Sequence, residues 1–135
     1  MILIEWQPGF SVGVKLIDEQ HQLLVNMIND LYAAMHTGEE RVVLQKMINR
    51  LAVYAAVHFA REEHYFNLFA YPHSEAHIRA HDDLEDQVYQ FEEDFKAGRQ
   101  ELSMEVMSFL SDWLVEHITK SDRQFGPFLN ARGIS

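Results

Sequence analysis

The sequence predicts an all-α fold, an up-down-up-down antiparallel four-helix bundle with an irregular N-terminal arm. Three observations carry that prediction. Four segments repeat apolar residues every three or four positions, the connections between them are a few residues long, and no run alternates as a strand would. At 135 residues the chain has the length of one domain and can bury about two-thirds of its unfolded surface in one core. We expect a single domain over residues 1–135, with the arm at 1–17, the bundle at 18–125 and a C-terminal tail at 126–135.

The arm contains Pro8, Gly9 and Gly13, which break any periodic pattern, and Trp6 is expected to pack it against the bundle. From Asp18 to His36 the residues Ile17, Leu24, Met27, Ile28, Leu31 and Met35 form one apolar stripe, which Thr37 and Gly38 end. A second stripe, using Val42, Met47, Leu51, Tyr54, Ala55 and Phe59, runs from about Glu40 to Phe69, before Tyr71 and Pro72. Ser74 is a candidate cap for a third helix that carries Leu84, Val88, Phe91 and Phe95 to about Ala97, with Gly98 placed to terminate it. Ser103 can cap the fourth, which uses Val106, Leu110, Trp113, Leu114 and Ile118 and stops near Gly126 and Pro127.

Composition removes several function classes. The 11 Lys and Arg against 21 Asp and Glu give a net charge of −10, which repels nucleic acid and acidic membrane surfaces. With no cysteine there are no disulfides, thiolate metal sites or cysteine nucleophiles, so any metal must be held by nitrogen and oxygen. The N-terminus MILIEWQPGF has no positively charged leader region, and no run approaches the roughly 18 apolar residues of a membrane span. A soluble, cytoplasmic protein is the expectation.

Antiparallel neighbours bring the starts of helices one and three to the same end as the finishes of helices two and four. His21 is early in helix one, His58 and Glu62 late in helix two, His77 and His81 early in helix three, and His117 and Asp122 late in helix four. At about 1.5 Å per residue all of them fall roughly 5 to 17 Å from one end. Residues four apart share a helix face, so His58 with Glu62 and His77 with His81 each offer two donors to one side. Imidazole suits iron, zinc or copper, and a carboxylate can span two metals. Ferritin-like di-iron sites use Glu-x-x-His pairs, and this chain has none.

These pieces resemble the hemerythrins, specifically the single-domain bacterial ones, over essentially the full length. The matching stretches are EW at Glu5 and Trp6, SVGVKLIDEQHQLL around His21, HFAREE from His58, YP at Tyr71 and Pro72, HSEAHIRAH through His81, and WLVEHITKSD from Trp113 to Asp122. The resemblance implies two non-heme iron ions: His77, His81 and His117 on one, His21 and His58 on the other, Glu62 and Asp122 bridging, and a shared oxo or hydroxo group. That set leaves one coordination position open, on the iron with two histidines, where the family takes up O2 reversibly. Such chemistry requires a dry wall, for which Leu24, Phe59, Leu114 and Ile118 are the candidates. Phe66 stands where bacterial relatives often carry methionine, which would alter the cavity.

Reversible O2 binding, as carrier, store or local supply, is thus the expected function, with no catalytic residue. Nitric oxide and azide are further candidate ligands, and the sequence leaves the protein partner open. The competing expectations are a di-iron enzyme with peroxidase, oxidase or nitric oxide reductase activity, an oxygen-sensing module needing a separate partner, and iron storage.

One spacing conflicts with a regular helix. Asp122 follows His117 by five residues, which turns it about 140° away, so a widened turn or fraying near Gly126 is needed to bring it inward. Other polar residues have plainer readings. His36 meets the negative end of helix one, His64 and Glu63 face solvent, and the methionines fill core. DDLEDQ with Glu92 and Glu93 makes a solvated face, and His73, directly after Pro72, belongs to the turn.

Overall fold

A computed structural model describes residues 2–135, and among these there are helices and no strand. None of the helices is long and apolar enough to cross a membrane. The chain forms two compact units: Met1–Gly38 with Ser103–Ser135, and Glu39–Leu102.

The first unit begins with the arm, which is tied down along its length. Asn29 accepts hydrogen bonds at Oδ1 from the Leu3 and Ile4 amides, 2.9 Å each, and donates from Nδ2 to the Ile4 carbonyl at 2.8 Å. Trp6 packs edge-on against Phe10 in a short 3-10 turn, Pro8–Phe10, and Ile4, Phe10, Val12 and Val14 are buried. Helix α1, Lys15–His36, starts three residues before Asp18. Asp18 lies inside the first turn, and its carboxylate reaches back to accept from Ser11 Oγ (2.6 Å) and the Val12 amide (2.8 Å). An anion there satisfies free arm donors and meets the positive helix end, which explains why helix can begin without a capping side chain at Val14. Ile17, Leu24, Val25, Ile28 and Leu31 face the core.

Helix α4, Met104–Glu116, is capped as expected, the Ser103 hydroxyl accepting from the Val106 amide at 3.3 Å. It does not stop near Gly126. It widens into a π-helical segment, His117–Asp122, and continues as α5, Arg123–Asn130, with Pro127 inside. Pro127 is tolerated because Gly126 before it has no Cβ to strike the proline ring, and because Phe125 and Leu129 are fully buried. Burying each of those side chains contributes about 1.5–3 kcal/mol, enough to offset one missing helical hydrogen bond. The first half of the expected tail, 126–130, is therefore helix, and Asn130 Nδ2 holds its end to the arm through the Gly13 carbonyl at 2.9 Å.

The second unit is an antiparallel hairpin of α2, Arg41–Phe69, and α3, Ser74–Lys96. Helix α2 ends at Ala70, which adopts a left-handed φ of 51°, with the Tyr71 amide returning to the Phe66 carbonyl at 3.0 Å. Ser74 is the first residue of α3 rather than its cap. Its amide closes a turn onto the Tyr71 carbonyl, so the residue is already helical, and His73 takes the cap position without a side-chain bond. Two other residues depart from expectation. Val42 is 56% exposed, whereas Leu51 and Phe59 are buried as expected and Ile48 joins them in the core. Glu92 is buried, because Asn49 Nδ2 donates to its carboxylate at 3.1 Å. Arg41 fastens the far end, stacking over Phe95, donating to the Phe95 carbonyl and pairing with Glu101.

Candidate metal centre

Each unit gathers histidines around one buried carboxylate. In the α2–α3 hairpin that carboxylate is Glu62, which is fully buried. His58, one turn earlier on α2, places Nε2 2.5 Å from Glu62 Oε1. From α3, His77 places Nε2 3.3 Å and His81 4.0 Å from the other oxygen, Oε2. The two oxygens of one carboxylate thus face two different histidine sets. Helical spacing produces this, since His58 with Glu62 and His77 with His81 are four-residue pairs whose faces meet across the hairpin.

In the other unit the carboxylate is Asp122. Its Oδ2 lies 2.7 Å from His21 Nε2 and 3.1 Å from His117 Nε2, all three residues being buried. The π-helical segment resolves the five-residue spacing. Its hydrogen bonds run i→i+5, so five residues make a little over one turn and Asp122 falls back beneath His117. Of the two devices the sequence left open, the widened turn is the one present; the helix does not fray. Thr119 Oγ1 donates to the Val115 carbonyl at 2.7 Å where the widening begins, and Trp113 stacks on the His117 ring at 4.6 Å.

The remaining histidines divide as expected. His36 donates from Nδ1 to the Tyr32 carbonyl, 3.1 Å away, at the end of α1. His64 is exposed beside Tyr65, and exposed His73 packs edge-on against Tyr71. Glu63 is different from its solvated reading. It is half-buried, with Oε2 3.0 Å from His81 Nδ1. Burial raises its carboxyl above the usual range, with Asp82, Glu85 and Glu62 adding to the rise and His77 opposing it. A usable sequence signal existed: a ligand histidine needs an acceptor for its second ring nitrogen, and a carboxylate next to Glu62 is well placed.

The apolar candidates are all buried. Leu24, Leu114 and Ile118 lie in the unit that holds His21 and His117. Phe59 lies in the hairpin, its ring stacked on His81 at 4.0 Å and 9°. Phe66 packs against His77 at 4.7 Å and Tyr71 at 5.3 Å, filling the space beside the α3 histidines with a flat, rigid ring.

The donor chemistry fits a divalent metal of intermediate softness. Imidazole Nε2 atoms converge on carboxylate oxygens, and the ligand atoms of Glu62, His77 and His81 lie within 4.8 Å of one another. A carboxylate buried in this way is stable when cationic charge offsets its desolvation, which a metal supplies.

Comparison with known proteins agrees with this chemistry. The family described as the hemerythrin HHE cation binding domain matches residues 12–129. The chain is similar to bacteriohemerythrin from Methylococcus capsulatus, 33% identical over 132 residues, covering 97% of this chain and 100% of that one. Bacteriohemerythrin from Stenotrophomonas maltophilia is 32% identical over 131 residues, covering 97% and 84%. A solved wild-type hemerythrin, 32% identical, covers 93% of this chain and 96% of its own with a TM-score of 0.88. A solved hemerythrin mutant, also 32% identical, reaches 0.90 over 94% and 97%. At this identity and coverage the all-α four-helix bundle fold is shown.

Proposed function

The chain belongs to the hemerythrin family, and from that membership we propose that it binds O2 reversibly at a non-heme di-iron centre. The proposal joins the two carboxylate-centred sets. His77, His81 and His117 would hold one iron, His21 and His58 the other, with Glu62 and Asp122 spanning both beside an oxo or hydroxo bridge. The observation that carries it is the division of Glu62: Oε1 faces His58 and Oε2 faces His77 and His81, the arrangement a bridging carboxylate needs. When bound, the iron pair supplies reversible two-electron exchange with O2.

The side chains do the rest. Neutral imidazoles bind through Nε2 without adding charge, and the two carboxylates offset part of the metal charge in a site closed to water. Leu24, Phe59, Leu114 and Ile118 would wall the open position. Their work is exclusion: water or a free proton near the site favours irreversible oxidation over release of O2. Nitric oxide and azide are small enough to compete for the same position.

Iron analysis and visible spectra test this reading. About two irons per chain are expected, with absorption that appears in air and disappears on deoxygenation through repeated cycles. Rapid catalytic consumption of an added reductant would transfer the site to the oxidase or peroxidase class, and a well-folded protein that takes up no iron would overturn the proposal. Leu114→Ala should keep its iron yet convert several-fold faster to the oxidised, non-binding form, at a cost in stability of about 2–5 kcal/mol. Oxidation kinetics unchanged from wild type would remove Leu114 from the wall.

A further inference from the structure

Glu63 is not among the residues assigned to iron, yet it touches one of them. Consecutive residues on α2 project about 100° apart. Glu62 and Glu63 therefore approach His81 from two sides, Glu62 on the Nε2 side at 4.0 Å and Glu63 on the Nδ1 side at 3.0 Å. The ring between them is fully buried and nearly parallel to two phenyl rings, Phe59 at 4.0 Å and Phe66 at 6.3 Å. Packing fixes the plane of the imidazole. It does not decide which nitrogen carries the proton.

We propose that Glu63 is a positioning residue for the metal centre, accepting the Nδ1–H of His81 and so presenting the Nε2 lone pair toward Glu62. Glu63 Oε2 and His81 Nδ1 are at hydrogen-bond distance, and with Nδ1 as the donor the neutral ring keeps its Nε2 lone pair free to bind metal. The same bond draws electron density into the ring and makes it a stronger donor, which favours the more oxidised metal. An ordinary surface role does not account for the residue. Among the described residues no Lys or Arg pairs with Glu63, and Asp82, Glu85 and Glu62 all repel its charge. Its side chain is 29% exposed while that of His81 is 0% exposed.

The inference rests on the di-iron reading, and its test separates the two. Wild type, Glu63→Gln and Glu63→Ala are compared for metal retention against a chelator, for reduction potential of the iron pair, and for the His81 tautomer by 15N NMR of the metal-free protein. Glu63→Gln, nearly isosteric, keeps an acceptor but loses the charge. It should retain both irons with a potential shifted upward. Glu63→Ala should shift the potential further, weaken metal affinity about 10- to 100-fold and lose the preference for the Nδ1–H tautomer. Wild-type affinity, potential and tautomer in both variants would overturn the assignment. If wild type itself takes up no iron pair, the di-iron reading fails; the metal-free tautomer still decides whether Glu63 sets His81.

Discussion

Glu62→Ala is expected to lose at least about nine-tenths of the bound iron and the visible spectrum that depends on it. No other side chain in the hairpin faces histidines on both of its oxygens, among the contacts described: His58 lies at Oε1, His77 and His81 at Oε2. In the proposed centre, removing one histidine would subtract one ligand from one metal, whereas removing Glu62 would subtract an oxygen from each and leave Asp122 as the one remaining candidate carboxylate bridge. The loss should therefore exceed that of any single histidine variant. Helicity by circular dichroism should persist, since the hairpin is held elsewhere by Ile48, Leu51, Leu84 and Phe95. His73→Ala is the matched control. It shares the four-residue spacing of His77 and His81, but it is exposed and sits before the helix, so iron content and spectrum should match wild type. Retention of the full spectrum in Glu62→Ala would refute the bridge.

That pairing shows what a reader of the sequence can and cannot see. Periodicity placed His58, Glu62, His77 and His81 on facing stripes, and the structure brings them onto one carboxylate, because helical spacing is local and survives folding. His73 could be separated for an equally local reason, the proline before it. Asp122 was legible only as a contradiction. A five-residue interval says that the helix must change its winding but not how, and a π segment is a tertiary compromise between His117 above and Phe125 below. Glu63 and Glu92 were misread together. Both look like ordinary acidic surface, and each owes its burial to a partner more than fifteen residues away, His81 and Asn49, which no spacing reveals. The extension of α5 through Pro127 was hidden for the same reason: proline is a strong local stop, overridden here by two fully buried apolar anchors and a glycine.

Gly126→Ala is the stability counterpart of the Glu62 variant and should cost about 3 kcal/mol or more, lowering Tm by on the order of 10 °C. A Cβ at this position would lie 1.8 Å from the Val12 carbonyl oxygen and 2.9 Å from its carbon. Neither atom can move aside alone. The Val12 amide is held by Asp18, the following glycine is fixed to Asn130, and Val12 itself is buried. The same Cβ would also crowd the ring of Pro127 and disfavour the helical conformation of residue 126. Relief requires that the arm lift from α5 or that α5 rotate, and α5 begins directly after Asp122. Iron retention should therefore fall with Tm although Gly126 carries no ligand atom. The clash is with backbone, so shortening the opposing side chain by Val12→Ala should not rescue the variant. Thermal unfolding of the single and double variants, with and without iron, separates the possibilities: a Tm within about 2 °C of wild type would mean that arm and α5 do not approach this closely, and rescue by Val12→Ala would mean that side chains, not the carbonyl, set the contact.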